Sequence, residues 1–457
     1  MNIPRTLWNL WQLKRNEKMT LHQMHAFQQV KLRKMLRHAY AHSDYYRKTF
    51  EKAGITAKNL DTTPLSHFPT MDKSALLKHF DELVTMPGLR QEELRRFDEQ
   101  ETIGRKPFLG EYHVVHSSGS TGKPGYFVYD EKAWSSMLLG ILRGALWGMS
   151  MPQILKLLAG KPRILYIAAT DGRYGGAMAV GDGIDGVGAS QLYLDIQTPL
   201  SEWVRQVQEF RPNIIIGYPS AIKILAELAE NGDVALKILR VVSCGEPLGA
   251  SLRRYLENTF HTQVINFYGA SESLALGVEA DPTEGVLLFD DMNVIEVENG
   301  VMYLTCLYNF SQPLIRYRLA DRLTIETPDE HSRCPFSKAV GLLGRSEDIF
   351  WFEDEEGNRE FLHPLAIEGF CVEGLLDYQF LQTGNNAFEM RAEISQSALE
   401  AMIREKIDRQ MDQILKEKGL SYVEFTVHFV EQIFPDPRTG KKRLVLQSYR
   451  EEARRAG

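Results

Sequence analysis

Short apolar runs alternate with amphipathic helical patterns between about residues 111 and 320. Strand-like runs such as RILYIAA, NIIIGY, LRVVSCG and QVINFYG are separated by helical patterns such as SEWVRQVQEF, AIKILAELAENG and LGASLRRYLENTF. This order predicts an α/β fold with mixed or parallel sheets that are covered by helices. A tighter alternation over VLLFDDMNVIEVENGVMYLTCLYN predicts an antiparallel β subdomain, in which Asn299-Gly300 is typical of a hairpin turn.

The two ends of the chain differ from this middle region. Residues 1–55 keep apolar or aromatic side chains at three- and four-residue spacing, which predicts a helical lead-in. After residue 345, FWFEDEEGNREFL predicts a hairpin, and LEAMIREKIDRQMDQILKEKGL predicts an amphipathic helix. We therefore expect a large N-terminal domain over residues 1–345 and a small α+β domain over residues 346–457.

The composition is that of a globular protein and argues against several classes of function. The 457 residues carry 60 acidic and 53 basic side chains, and the net charge of −7 disfavours a dedicated nucleic-acid-binding protein. No apolar run is long enough to predict a membrane-spanning helix, and the N-terminus lacks the pattern of a signal peptide. The four cysteines form no CxxC pair, and the 12 histidines form no HExxH pattern. We expect a cytoplasmic protein without a nucleic-acid or membrane partner.

The segment HSSGSTGKPG, at residues 116–125, lies between two predicted strands and carries the strongest chemical signal. Its small and hydroxylated residues let backbone N–H groups approach phosphate oxygens, and Lys123 adds a positive charge. A Walker A loop would have glycine where Ser117 stands and would open a helix, which Pro124 disfavours. The pattern therefore predicts a phosphate-binding loop of another kind.

Further motifs accompany this loop in a fixed order. They are GEP at 245–247, YGASE at 268–272, RYRLAD at 316–321, GRSED at 344–348 and TGKKR at 439–443. With these motifs the chain resembles the adenylate-forming superfamily of acyl-CoA synthetases, peptide adenylation domains and luciferases. It is most similar to the phenylacetate–CoA ligase branch, including CapK-like and coenzyme F390 synthetase-like proteins. The resemblance extends over nearly the whole chain and includes the segments FPTMDKSAL and PLIRYRLAD.

The resemblance implies a reaction in which a carboxylate attacks the α-phosphorus of ATP to give an acyl-adenylate and pyrophosphate. The acyl group then passes to a thiol. ATP and Mg²⁺ are the implied cofactors, and the implied substrate is a small carboxylic acid of aryl or medium size. Coenzyme A or the phosphopantetheine of an acyl carrier protein is the possible acceptor. Residues 1–345 would bind ATP and the acid, and a mobile C-terminal domain would be hinged near Glu347.

The resemblance also assigns roles to individual residues. Lys441, Glu272 and Lys123 are the catalytic candidates, with Glu272 holding Mg²⁺. Tyr268 would stack on adenine, and Asp321 would accept hydrogen bonds from both ribose hydroxyls. The other candidates for binding ATP or AMP are Ser117, Ser118, Gly119, Ser120, Thr121, Gly122, Gly245, Glu246, Pro247, Asn266, Gly269, Ser271 and Arg345. The acyl-pocket candidates are Tyr126, Phe127, Trp134 and Tyr218.

Several alternatives stay open on sequence alone. Lys442 adjoins Lys441 and is the other candidate for the C-terminal catalytic lysine. An acidic hairpin at residues 353–356 replaces the glycine-containing loop that lines the thiol tunnel in the family, and its charge is unfavourable for the phosphates of CoA. The acceptor is therefore CoA, a carrier protein, or an amine or hydroxyl. The rival interpretations are transfer of AMP to a hydroxyl and a degenerate AMP-binding protein.

Overall fold

The computed structural model describes most of the chain. The described residues are 3–99, 107–116, 125–168, 189–246, 248, 250–281, 285–319, 321–329, 332, 334–343, 350–354, 356–362, 364–367, 370, 372–394, 396–433 and 445–446. None of the described helices combines the length and the apolar character that crossing a bilayer requires.

The N-terminal part is helical, as its spacing predicted. Its helices are α1 (Ile3–Asn16), α2 (Leu21–His42), α3 (Asp44–Lys52), α4 (Lys73–Leu83) and α5 (Gln91–Glu99). The Ser43 side chain accepts a hydrogen bond from the Tyr46 amide, which starts α3 directly after α2 ends. Asp72 caps α4 in the same way, at 2.8 Å from the Ala75 amide.

A nine-stranded mixed sheet forms the middle of the molecule. Its strands lie in the order β13-β14-β9-β8-β7-β6-β5-β3-β4. They are β3 (Arg163–Ala168), β4 (Ser190–Asp195), β5 (Ile214–Gly217), β6 (Arg240–Cys244), β7 (Val264–Ala270), β8 (Ser273–Glu279), β9 (Val286–Leu288), β13 (Arg322–Glu326) and β14 (Lys338–Leu343). β3 to β7 are parallel, and the remaining pairs are antiparallel. The predicted α/β class with mixed sheets is confirmed.

Helices and a separate hairpin accompany this sheet. The helices are α6 (Glu131–Ala145), α7 (Met151–Ala159), α8 (Leu200–Phe210), α9 (Pro219–Glu230) and α10 (Ala250–Phe260). β1 (Tyr112–His116) and β2 (Tyr126–Asp130) pair antiparallel in a two-stranded sheet of their own. Because His116 faces Tyr126 across this pair, residues 117–125 connect the two strands at one end of the hairpin.

The predicted antiparallel β subdomain is present as a three-stranded sheet, except that Val286–Leu288, at the start of the predicted segment, pairs within the nine-stranded sheet as β9. It consists of β10 (Asn293–Glu298), β11 (Val301–Cys306) and β12 (Tyr317–Arg318). Asn299 and Gly300 have φ angles of 54° and 75°, the left-handed conformation that a two-residue hairpin turn requires. This agrees with the Asn-Gly signal in the sequence.

The C-terminal part contains the predicted hairpin and the predicted amphipathic helix. The hairpin is β15 (Phe350–Glu353) and β16 (Arg359–Leu362). A four-stranded sheet follows, in the order β19-β18-β17-β20, with a short helix α11 (Pro364–Ile367) and the long helix α12 (Glu400–Lys418). Its strands are β17 (Leu375–Gly384), β18 (Ala387–Ile394), β19 (Glu424–Val430) and β20 (Val445–Leu446).

The β15–β16 hairpin contributes to two hydrophobic cores. Phe350, Phe352 and Leu362 are buried with the residues of α12 and the C-terminal sheet. Phe361 is buried in the core beneath α8 and α9, and Trp351 packs against the same core. The boundary between the two expected domains, at residues 345 and 346, stays a prediction.

Candidate active site

The parallel strands end at one edge of the central sheet, and the sequence motifs follow them there. Tyr218 comes directly after β5, Gly245 and Glu246 come after β6, and Ser271 and Glu272 come after β7. Ligands of open α/β sheets bind outside the carboxyl ends of the parallel strands. The fold therefore collects residues from three separate motifs at the edge where a ligand is expected.

Tyr268 and Asp321 are in direct contact, although 53 residues separate them. The Tyr268 hydroxyl donates a hydrogen bond to Asp321 Oδ2 at 3.1 Å. Burial raises the pKa of Tyr268 well above its ordinary value, and the Asp321 carboxylate raises it further. Tyr268 therefore stays a hydrogen-bond donor and orients the carboxylate that the resemblance assigns to the ribose.

Glu272 lies beside this pair. The Tyr317 hydroxyl donates a hydrogen bond to the Glu272 carboxylate. Burial raises the pKa of the Glu272 carboxyl, and the charge of Asp321 raises it further, whereas Lys73 and the Tyr317 hydroxyl act in the opposite direction. The net result is a raised pKa, so the protein alone leaves this negative charge incompletely compensated.

A divalent cation would provide the missing compensation at Glu272. Mg²⁺ prefers oxygen ligands and is commonly held by one or two carboxylates together with substrate phosphates. In the described part of the chain, no group of three or more His, Cys, Asp or Glu side chains could hold a metal. Glu272 is a single carboxylate and would suit a cation that also binds a phosphate ligand.

His116, the last described residue before the glycine-rich loop, contacts Ser271. Ser117, Ser118, Gly119, Ser120, Thr121, Gly122 and Lys123 lie outside the described residues. The carbonyl oxygen of His116, just before this segment, accepts a hydrogen bond from the Ser271 hydroxyl at 3.5 Å. The Tyr129 hydroxyl fixes the same turn by donating to the carbonyl oxygens of Ser271 and Glu272, at 3.3 and 3.2 Å.

The β6 motif forms a second cluster at the same edge. Gly245 has a φ angle of 83°, and a Cβ atom there would lie 2.6 Å from the Tyr218 ring, so only glycine fits without a shift. A Glu246 carboxylate oxygen accepts from the Ser220 amide at 3.2 Å, near the N-terminus of α9. The Tyr218 ring, in turn, packs against the small cluster of Tyr166 and Ala168.

Two further residues of the β7 motif are placed within the sheet. The Asn266 amide nitrogen donates to Glu279 at 2.8 Å, and its oxygen accepts from the Ser243 hydroxyl at 3.3 Å. At Gly269 an added Cβ would lie 2.3 Å from the Leu274 carbonyl oxygen, so the turn needs glycine. Contact of Asn266 with adenine stays a prediction.

The acyl-pocket candidates fall into two groups. Phe127 and Trp134 are each 1% exposed, and the Trp134 ring stacks on His113 at 4.5 Å between centroids. Tyr126 is also buried, and its hydroxyl donates to Asp98 at 3.3 Å. Burial does not favour contact of these three side chains with a substrate. Their role in an acyl pocket stays a prediction. Tyr218 is half-buried beside Gly245 and is the better placed candidate.

Four other candidates lie outside the described residues. They are Pro247, Arg345, Glu347 and Lys441. Their assignments as adenine, ribose or phosphate, hinge and catalytic residues stay predictions.

Tyr317 and Lys73 act on Glu272 but had no assigned role in the sequence. Both belong to segments that the resemblance includes, PLIRYRLAD and FPTMDKSAL. The two segments meet because Met71 forms a parallel bridge with Tyr317. Their approach to Glu272 depends on this long-range bridge, so the sequence carried no local signal for it.

Comparisons with known proteins agree with this geometry. The AMP-binding enzyme family matches residues 111–290. Phenylacetate–coenzyme A ligase of Aromatoleum evansii is 25% identical over 356 residues, which cover 73% of each chain. The ligase of the same name from Escherichia coli strain K12 is 24% identical over 357 residues, or 73% of this chain and 74% of that one. Over most of its length the chain is therefore similar to phenylacetate–CoA ligases, which are adenylate-forming enzymes.

Other relatives extend the comparison. A 136-residue stretch is 30% identical to indoleacetate–lysine synthetase of Pseudomonas savastanoi and covers 29% of this chain and 34% of that protein. Among solved structures, 2-hydroxyisobutyryl-CoA ligase in complex with its acyl-AMP and CoA has a TM-score of 0.62 at 18% identity. That similarity covers 97% of this chain and 94% of the other, so the chain shares that fold over nearly its full length.

Proposed function

We propose that the protein uses ATP to activate a small carboxylic acid and then transfers the acyl group to the thiol of coenzyme A. The observation that carries the proposal is the contact between separate motifs at the sheet edge. Tyr268 holds Asp321, Tyr317 holds Glu272, and Ser271 adjoins the start of the glycine-rich loop. This arrangement suits a nucleotide with its phosphates toward Glu272 and its ribose toward Asp321.

The first step joins two anions. A carboxylate oxygen attacks the α-phosphorus, a new P–O bond forms, and the bond to the β-phosphate oxygen breaks to release pyrophosphate. Asp321 would accept the ribose hydroxyls while Tyr268 keeps the carboxylate oriented. Glu272 would hold Mg²⁺, which neutralises phosphate charge when it is bound. Lys123 and Lys441 would add positive charge near the transferred group.

The second step replaces AMP by a thiol. The thiolate sulfur attacks the acyl carbonyl, a thioester forms, and AMP leaves with the electron pair of the broken C–O bond. Two relatives that carry the name phenylacetate–coenzyme A ligase, matched over 73% and 74% of their own lengths, support CoA as the acceptor and an aryl acid as the substrate. A carrier protein would offer the same thiol chemistry.

An amine acceptor is the second candidate. The β15–β16 turn carries Glu353, Asp354 and Glu356. Hydrogen bonds to Asp354, of which the one from the Asn358 side chain has the largest effect, lower its pKa and keep it charged. Negative charge repels the phosphates of CoA but attracts a cationic amine. The partial similarity to a lysine synthetase supports the same alternative.

Pyrophosphate release with Mg-ATP, across a panel of aryl and medium-chain acids, tests the first step. Release with one acid that rises on adding CoA supports the thioester ligase. The second candidate is supported if pyrophosphate release needs an acid, does not change with CoA and is stimulated by lysine or another amine. Glu272→Gln and Asp321→Asn should each lower release about 100-fold or more, because each removes a charge that acts on the reacting nucleotide.

Acid-independent release of pyrophosphate with AMP attached to an added hydroxyl compound would contradict carboxylate activation. Silence of the wild type across the panel, with equal AMP binding in all variants, would support a degenerate AMP-binding protein instead.

A further inference from the structure

One face of α1 packs on the protein while the other is left in solvent. Leu10 is fully buried in the small core that α1 shares with α6 and α7. The other face presents Arg5, Trp8, Trp11 and Arg15 at three- and four-residue spacing, and all four are exposed. The exposed fractions of Trp8 and Trp11 are 57% and 37%. Indole side chains of this size are rarely left so open without a partner.

The two indoles form a local aromatic and cationic pair. The Trp8 and Trp11 rings lie 5.0 Å apart, and the Arg15 guanidinium lies 4.9 Å from the centre of the Trp11 ring. An indole has an apolar body and a polar N–H group, so it suits a boundary between water and hydrocarbon. Tryptophan beside arginine or lysine is typical of helices that lie in a membrane interface.

An open cavity adjoins this helix face. It has a volume of about 1170 Å³ and lies among α1, α2, the start of α6 and the segment at residues 292–310. Its lining mixes apolar and polar side chains, and the described lining contains no Asp or Glu. The cationic or ionisable residues that line it are Arg15, Lys18, His22, Lys31, Lys34 and Lys132.

Asp291 and Glu17, which adjoin lining residues in the sequence, each have a basic partner. The Asp291 carboxylate is buried and accepts from the Arg143 guanidinium at 2.7 and 2.9 Å. Lys31 donates to the Asp291 backbone carbonyl at 2.5 Å. Glu17 pairs with Lys14 at 3.7 Å. A local positive surface therefore remains on a chain whose net charge is −7.

We propose that this surface docks on an anionic lipid bilayer. This surface, the Trp–Lys face, consists of Arg5, Trp8, Trp11, Arg15, Lys18, Lys34 and Lys132. The indoles would enter the headgroup region, and the cations would pair with lipid phosphates. This proposal departs from the expectation of no membrane partner, which rested on the absence of spanning segments.

Sedimentation with vesicles tests the proposal directly. The wild type should bind vesicles of phosphatidylglycerol and phosphatidylcholine in low salt, and binding should weaken as salt rises. It should not bind vesicles of phosphatidylcholine alone. Replacing Lys18, Lys34 and Lys132 together by Gln should weaken binding about 100-fold, as the loss of three cations near an anionic surface implies.

The tryptophans have a separate readout. Intrinsic fluorescence should shift to shorter wavelength on binding, and a variant carrying Trp8→Ala and Trp11→Ala should lose both the shift and most of the binding. Matched controls are Leu239→Ala, which removes another exposed apolar side chain, and the replacement of the exposed Lys52, Lys58 and Lys406 by Gln. Both controls should bind as the wild type does, and thermal melting checks that every variant is folded.

Absence of binding to the anionic vesicles in low salt would overturn the proposal. So would equal binding by the lysine variant and its control. A wild type that is dimeric by light scattering, becomes monomeric with Trp8→Ala and Trp11→Ala and ignores vesicles would identify the face as a contact between copies of this chain.

Discussion

Tyr268 has two chemically separable parts, a ring that is able to stack on a base and a hydroxyl that holds Asp321. Tyr268→Phe removes the hydroxyl only. We expect the KM for ATP to rise about tenfold, because a hydrogen bond to a charged group contributes about 1.5–3 kcal/mol and Asp321 loses its orientation.

Steady-state kinetics of pyrophosphate release measure this change. Tyr255→Phe is a matched control, since the Tyr255 hydroxyl also donates to a carboxylate, that of Glu230, at 2.9 Å, but at the protein surface. An unchanged KM in Tyr268→Phe would mean that the hydroxyl does not position Asp321.

Glu272 must be ionised to hold a cation, so its pKa sets the acidic limb of the activity profile. The Tyr317 hydroxyl favours the ionised form and lowers this pKa against the effect of burial. Tyr317→Phe should therefore move the acidic limb of kcat/KM to higher pH. Rates measured across a pH series check this, with Tyr40→Phe, which loses a surface bond to Glu51, as the control. A limb that stays in place or moves to lower pH would contradict it.

At the scale of single residues, the sequence indicated the charged residues of the site but not the side chains that hold them in position. Glu272 and Asp321 stand in local motifs, and the structure brings them close. Tyr317 and Lys73 could not be assigned, because their approach to Glu272 depends on a bridge between Met71 and Tyr317, 246 positions apart in the chain. Such long-range pairing leaves no local pattern.

At the scale of elements, the short strand β12 is held in place by a buried arginine that has a positive φ angle. Arg316, just before it, has a φ angle of 46° and is buried. Its guanidinium donates to Glu296 at 3.1 Å and to the carbonyl oxygens of Ser66 and Phe68 at 2.7 and 2.9 Å. These bonds connect the β subdomain to the N-terminal helical region and position Tyr317.

Arg316→Ala should lower the free energy of unfolding by about 3 kcal/mol or more, because it leaves Glu296 without its buried partner. Arg37→Ala, which breaks the exposed pair with Asp61, should leave it nearly unchanged. Urea unfolding measures both. Equal effects of the two substitutions would show that burial of the pair does not matter.

Local sequence patterns predicted these elements well but not their arrangement. The Asn299-Gly300 turn and the hairpin around Gly357 depend on neighbouring residues and were confirmed. The separate β1–β2 sheet and the antiparallel strand β8 beside β7 were not predicted. Strand order depends on contacts between distant segments, which hydrophobic periodicity does not specify.

On the scale of the whole molecule, Lys418 connects the last long helix to the central region. Its side chain is fully buried, donates to the Thr198 carbonyl oxygen at 2.5 Å and pairs with Glu360 at 3.1 Å. Its ammonium group also lies 3.9 Å from the centre of the Phe361 ring. Glu360 in turn accepts from the Leu200 amide at 2.7 Å, where α8 begins.

This contact should give stability a pH dependence. Burial lowers the pKa of Lys418 to about 8, below its ordinary 10.5. The unfolded chain therefore binds more protons between these values, and the wild type should gain stability as pH rises from about 8 to 10.5. The stability of the wild type minus that of Lys418→Met should increase over this range by up to about 3 kcal/mol.

Thermal or urea unfolding at several pH values measures this difference, with Lys406→Met as a surface control. A difference that stays constant or falls with rising pH would show that Lys418 is not deprotonated more readily in the folded protein.

The two-faced β15–β16 hairpin restricts how this part of the chain is able to diverge. Phe350 and Phe352 face one core and Trp351 faces the other, so inserting or deleting one residue would exchange the two sets of side chains. An evolutionary change of length in β15 would therefore damage both cores at once. Length variation in this hairpin should be confined to its acidic turn, where neither core is affected.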